Sequence, residues 1–263
     1  MAMTESVSML LDLPRFKTLG VRVHAVQIPD TIKVIERWIS DRGDPRFVAV
    51  TGMHGVTEAQ QDREFKHILN AADLVVPDGM PLVWLGRRSG HALPRRVYGP
   101  ELMATFFEET GSTYKHFLYG GSPEVVTKLA QTLGARYGAD IVGSHSPPFR
   151  ELTRTESLST AALINDSGAD VVWVGLSTPK QERWMYEHRY LLRAPALLGV
   201  GAAFDLIAGV KRTAPRWMQE NGLEWLYRLA HEPRRLWRRY LVGGSRFLSY
   251  LALERSGIRS FDQ

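Results

Sequence analysis

The chain has 263 residues, of which 44% are hydrophobic, 23% charged and 10% aromatic, and it contains no cysteine. That balance excludes a disordered, collagenous or coiled-coil protein, and the missing cysteines exclude a disulfide framework, thiol catalysis and thiolate-held metal. Charge is uneven: residues 211–263 carry 11 Lys and Arg against 5 Asp and Glu, whereas residues 1–210 carry 22 against 23. A basic tail on a near-neutral body points to an anionic partner such as a nucleic acid, an acidic lipid or a phosphorylated substrate.

In chain order, residues 1–16 (MAMTESVSMLLDLPRF) lack the basic start and long apolar run of a signal peptide. No stretch reaches the roughly 18 apolar residues of a membrane span, so a cytoplasmic location is expected. VRVHAVQI (21–28) reads as a strand, followed by a helix that Pro29 leads into. RFVAVT (46–51) is a strand, and a helix is expected from Val56 to Ala71. ADLVVPDG (72–79), KHFLYGG (115–121), ADVVWVGL (169–176) and PALLGVGAAF (195–204) are apolar enough for strands covered on both faces. A helix is expected over 122–138. Strands alternating with helices build βαβ units. The expectation is an α/β fold, an open, mainly parallel Rossmann-like sheet sandwiched by helices. The chain divides into a catalytic body over 1–222 and a basic amphipathic helical appendage over 223–263.

Ligands of such sheets bind beyond the carboxyl ends of the strands, which directs attention to the residues that follow them. In FLYGGSPE, Gly120 and Gly121 let a ligand approach the backbone, Ser122 suits a helix cap, and the helix start offers free N–H groups to a phosphate. A tight packing turn explains the same residues. In GLSTPKQERW, Lys180 and Gln181 fall in a first helical turn, where Gln181 can donate to and accept from sugar hydroxyls; a solvated turn is the alternative. Asp78, directly after a buried strand, can serve as a general base or simply as a turn residue. Arg95 and Arg96 in LPRRVYGPEL can clamp a diphosphate, and Asp205 in GAAFDLIAG can bind sugar hydroxyls or cap a helix. The eight histidines show no HxxxH or HExxH spacing and there is no DxD pair, so neither a metal nor any other cofactor is expected.

After Pro233, Arg234, Arg235, Arg238 and Arg239 share one arc of a helical wheel, and Leu236, Trp237, Tyr240 and Leu241 share the other. That is the pattern of a helix lying in an anionic membrane interface, and equally of a helix packed on the body with its arginines in water.

Taken together, VTGMHGV, ADLVVPDGMPLVW, RRVYGPEL, FLYGGSPEVV, VGLSTPKQERWM, GVGAAFDLIAG, KRTAPRWMQENGLEWLYRL and EPRRLWRRY resemble the WecG/TagA/CpsF bacterial glycosyltransferases, glycosyltransferase family 26. The resemblance implies an inverting, metal-independent transfer from a UDP-sugar to a polyprenyl-diphosphate-linked acceptor in surface polysaccharide synthesis, at the inner face of the cell membrane. It implies Asp78 as the general base, with Thr51, Arg96 and Gln181 in sugar binding or catalysis. It also implies Arg228, Arg235 and Arg238 as arginines that a membrane-docked tail brings over the site. Arg234 and Arg239 are left as membrane anchors. Many members read T-x-N where this chain has Thr51-Gly52-Met53 followed by His54, so N-acetylmannosamine, its uronic acid and glucuronic acid are all candidate donors. Self-association into a homo-oligomer stays open. A nicotinamide-dependent oxidoreductase would need GxGxxG after the first strand, which is absent. A nucleic-acid binder would need a groove-reading helix or exposed aromatics in a recognisable fold; Trp237 and Tyr240 suit lipid better.

Overall fold

A computed structural model describes residues 13–261; the first twelve residues, and with them most of the stretch that lacks signal-peptide character, lie outside the described part. Six strands form one parallel sheet in the order β4-β3-β8-β7-β5-β6. They are β3 (Arg46–Thr51), β4 (Leu74–Pro77), β5 (Lys115–Gly120), β6 (Asp140–His145), β7 (Val171–Gly175) and β8 (Ala196–Gly199). The chain steps outward from β3 to β4, crosses to the other half for β5 and β6, and then fills the centre with β7 and β8. The sheet has two covered faces, and the side-chain alternation of its strands serves both. Phe47, Ala49, Phe117, Tyr119, Val172 and Val174 enter the core on one face. Val48, Val50, Leu118, Val171 and Trp173 enter the core on the other.

Most expected elements form; the strand expected over 195–204 stops at Gly199, its last two residues opening a helix (Ala203–Ile207), and four further elements differ. The segment 21–28 is a strand only over β2 (Val21–His24), which pairs antiparallel with β1 (Arg15–Thr18) in a separate ribbon. Helix α1 (Ile28–Asp41) begins already at Ile28, because Gln27 N–H donates to Asp30 Oδ2 at 3.0 Å and Pro29 occupies the first turn. The single helix expected over 56–71 is two, α2 (Met53–Ala59) and α3 (Arg63–Asn70). Asp62 breaks it by capping α3, its carboxylate accepting from Phe65 N–H at 2.9 Å. Strand β6 escapes a reading for buried strands because it is the sheet's edge and most of its residues are only partly covered.

The remaining helices follow in order: α4 (Met80–Arg88), α5 (Gly99–Thr110), α6 (Pro123–Tyr137), α7 (Arg154–Asp166), α8 (Lys180–His188) and α9 (Ala203–Ile207). The tail comprises α10 (Arg216–Glu220), α11 (Glu224–His231), α12 (Pro233–Trp237), a π-helical turn (Arg238–Val242) and α13 (Gly243–Arg255). Among the described residues no helix is long and apolar enough to cross a membrane. Packing runs across the expected 222/223 division. Helix α13 lies on α2, and Phe247, Leu251 and Phe261 are buried in the same core as Phe16 and Phe47.

Candidate active site

The carboxyl ends of β3, β4, β7 and β8 form one wall of a cavity of about 880 Å³, and the tail forms the other. Asp78 sits on its floor because β4 ends at Pro77 against β3, where Asp78 N–H donates to Thr51 O at 2.7 Å. Gly52 permits that approach: a Cβ there would stand 2.3 Å from Asp78 O. Gly79, at φ +111°, then turns the chain into α4. The Asp78 carboxyl is walled in but reachable from the cavity. Burial pushes it up to about 6; Glu224 pushes the same way, while Arg96, Arg228 and Arg239 pull it down.

Arg96 projects from the loop before α5 and stacks over the Tyr98 ring at 4.0 Å. Its guanidinium donates to Glu224 Oε2, and Tyr98 O–H donates to Glu224 Oε1 at 2.9 Å. Both partners of the Arg96–Glu224 pair are largely removed from solvent, at 13% and 9% side-chain exposure, so the pair is far from the screened surface case.

Gln181 is fixed from behind. Its Nε2 donates to Glu182 Oε1 at 3.0 Å and to Gly199 O at 3.1 Å, and Thr178 O–H donates to the same Glu182 oxygen at 2.7 Å. Two acceptors on the amide nitrogen set the orientation of the group, leaving Oε1 without a partner beside the cavity. That oxygen is an unused acceptor at the cavity wall, closed off from solvent in this structure. Burial raises the Glu182 carboxyl above the usual range.

The sequence-derived residues do not all reach this space. Asp78, Arg96, Gln181, Gly121, Asp205, Arg228 and Arg235 line it. Thr51 is 1% exposed and lies behind the wall, next to Gly55, where a Cβ would meet its hydroxyl at 2.2 Å. Gly120, at φ +119°, is needed for packing, since a Cβ there would stand 2.7 Å from Gly175. Ser122 caps α6, its hydroxyl accepting from Val125 N–H at 3.4 Å, and Lys180 is exposed outside the cavity. Asp205 is held by Lys211 at 2.9 Å.

The tail arginines require a correction. Arg238 is exposed, stacks over Trp237 and does not line the cavity, whereas Arg239, left as a membrane anchor because it matches none of the arginine positions that the family resemblance implies, does line it. Burial lowers the Arg239 guanidinium below its ordinary value, and its Nε has no partner. A wheel at about 100° per residue puts both arginines on one arc, and the π turn that starts at Arg238 breaks that phase and separates them. Glu224 and Tyr98 also line the cavity and were not picked out from sequence; His54, named only as the residue after Thr51-Gly52-Met53, and Tyr240, read as part of the lipid-facing arc, line it too. His54 is neutral there, burial and Arg239 holding it down at about 3. The motif GLEW carried the signal for Glu224, as a carboxylate beside a run of apolar residues.

The strand ends of the parallel sheet thus present a carboxylate across the cavity from a wall of guanidinium groups. A profile of the "Glycosyl transferase WecG/TagA/CpsF family" matches residues 16–260, and the chain belongs to that family. It is similar to the N-acetylglucosaminyldiphosphoundecaprenol N-acetyl-beta-D-mannosaminyltransferase of Bacillus spizizenii, 26% identical over 216 residues, 82% of each chain. It is also similar to the enzyme of the same name in Bacillus subtilis, 28% identical over 184 residues, 70% of each chain.

Proposed function

We propose that the protein transfers a sugar, of the N-acetylmannosamine type, from its UDP derivative to a hydroxyl of a polyprenyl-diphosphate-linked sugar, with inversion. The observation that carries this reading is Asp78, a carboxylate with a raised proton affinity at the floor of a cavity whose opposite wall is cationic. The names of the two Bacillus relatives supply the acceptor class. In this reading Asp78 takes the acceptor hydroxyl proton as the oxygen bonds to the anomeric carbon, and the bond from that carbon to the diphosphate oxygen breaks. UDP leaves with the electron pair. Arg96, Arg228 and Arg239 stabilise the departing diphosphate, and Gln181 Oε1 accepts from a hydroxyl or the N-acetyl N–H of a sugar. Among the described residues no three His, Asp or Glu gather as a metal-ligand set, and the guanidinium cluster takes the role that a divalent cation fills elsewhere.

The mouth of the cavity supports a membrane-facing position. Trp84 and Leu248 line it yet are 52% and 67% exposed, and Trp225 and Leu241 are comparably open. Arg88 and Arg255 are exposed beside them. Apolar side chains with basic neighbours fit an anionic bilayer surface, from which a lipid-linked diphosphate would enter. The deciding experiment measures UDP release from a panel of UDP-sugars with a polyprenyl-diphospho-N-acetylglucosamine acceptor, with and without EDTA. Release from UDP-N-acetylmannosamine that requires the acceptor and survives EDTA is the expected result. Release from none of the panel sinks the proposal.

A further inference from the structure

Glu224 has no part in the transfer as outlined, yet it is the best-buried residue of α11. It is 7% exposed and the only residue of that helix that counts as buried. Its neighbours Trp225 and Leu226 are 40% and 46% exposed, and Tyr227 and Leu229 are only half-buried, so α11 seats no wholly buried apolar side chain on the body. Both Glu224 carboxylate oxygens are used on body residues, one accepting from Arg96 and the other from Tyr98 O–H. Arg228 lies four residues later, on the same face of the helix, and lines the cavity that also contains Asp78.

We infer that Glu224 is the positioning residue of the active site, a polar latch that seats α11 on Arg96 and Tyr98 and thereby holds Arg228 over Asp78. The inference rests on the reading of Asp78 and Arg228 given above. A buried carboxylate gives a different kind of anchor from an apolar contact, because it holds only while its donors stay in one geometry. It therefore fixes the rotation of the helix as well as its proximity. It also completes the charge balance around the base. The charged groups facing Asp78 are Arg96, Arg228 and Arg239 on the cationic side and Glu224 on the anionic side, with His54 neutral close by. One residue thus sets both the place of a substrate-facing guanidinium and the potential at the base.

The test uses the full chain with Glu224→Ala and Glu224→Gln, the second keeping an acceptor and the shape while removing the charge. Two readouts separate the latch from general damage. The first is limited trypsinolysis, which needs no substrate. Glu224→Ala is expected to speed cleavage after the tail arginines by about tenfold or more, the response of a segment whose local opening has become easier. The second is kinetic. Glu224→Ala and Arg228→Ala should each lower kcat/KM for transfer, and the double variant should fall no more than about twofold below the worse single one, as for two residues acting through one element. In Glu224→Gln the acidic limb of the kcat/KM profile should move to lower pH, because the groups left around Asp78 are all cationic. Unchanged trypsin cleavage, fully multiplicative losses, or an acidic limb in Glu224→Gln that coincides with the native one each overturn the latch. A native protein that transfers no sugar would defeat the proposed activity, while the proteolysis result would still decide how the tail is held.

Discussion

The two walls of the cavity are held by different forces. The strand-end wall rests on two cores in which Phe47, Trp173, Phe117 and Phe106 are wholly buried. Its loops are placed by backbone hydrogen bonds and by glycines that a side chain could not replace. The tail wall has its main buried apolar anchors at Leu236, Phe247, Leu251 and Phe261, of which Phe247 and Leu251 also line the cavity. Over α10 and α11 its one buried residue is Glu224, and charge holds it, through Glu224 on Arg96 and by Lys211 bridging Asp205 and Glu232. A wall built on burial keeps its geometry whatever is bound. A wall built on ion pairs answers to ligand, salt and pH, since each charge has competitors. On the proposed function a lipid-linked substrate has to enter the cavity, and the polar wall is where it can exchange contacts with the protein.

The clearest way to break this contrast is at the rigid wall. Asp78→Asn keeps size and position and removes the base; turnover should fall by about 10²-fold or more, with an unchanged thermal unfolding profile. Turnover close to native in the folded variant would remove Asp78 from the role of base and leave the strand-end wall as a binding surface.

The next test concerns an apolar anchor of the tail. Phe247 is 2% exposed and shares the core with Phe47, so Phe247→Ala should cost about 3 kcal/mol of stability in denaturant unfolding. A loss below about 0.5 kcal/mol, the range of surface substitutions, would show that the tail is only laid on the body. The expected division at 222/223 would then describe the packing as well as the sequence.

A smaller effect discriminates neighbouring arginines. Arg239→Ala should lower transfer by about tenfold or more, the scale of one lost charge-assisted donor in an enclosed site, while Arg238→Ala should stay within about threefold of native. Sedimentation with anionic liposomes should respond in the opposite order, since Arg238 is the exposed member of the pair. Equal losses in both assays would restore the arrangement that a uniform helical wheel implies.

That pair also marks the limit of what the sequence discloses. The sheet was legible because β3, β5, β7 and β8 are apolar on both faces, and Asp78 and Gln181 because strand ends of such a sheet converge whatever the details. The ribbon of β1 and β2 was not, because a four-residue strand looks the same whether it pairs inside or outside the main sheet. Asp62 looks like any polar surface residue until its side chain caps α3. Arg239 and Glu224 were lost for a deeper reason. Their roles depend on the rotation of short helices, and a π turn or a single buried ion pair changes that rotation without altering composition or hydrophobic period.

The finest prediction lies in the acidic limb of the native rate profile. A general base must be ionised, and burial holds the Asp78 carboxyl at about 6 against the opposing pull of Arg96. An upward shift lowers the ionised fraction at a given acidic pH, so the loss of activity begins nearer neutrality than for an ordinary aspartate. kcat/KM should be flat above pH 7, halve near pH 6 and fall about tenfold for each further unit, and the residual activity of Asp78→Asn should lack this limb. Adding salt should leave the limb in place if the rigid wall dominates, because burial is not screened. If the tail arginines dominate, weakening their attraction for the carboxylate with salt should move the limb upward. A native limb centred near pH 4 would show that the cationic wall, and not the enclosure by the strand ends, sets the proton affinity of the base.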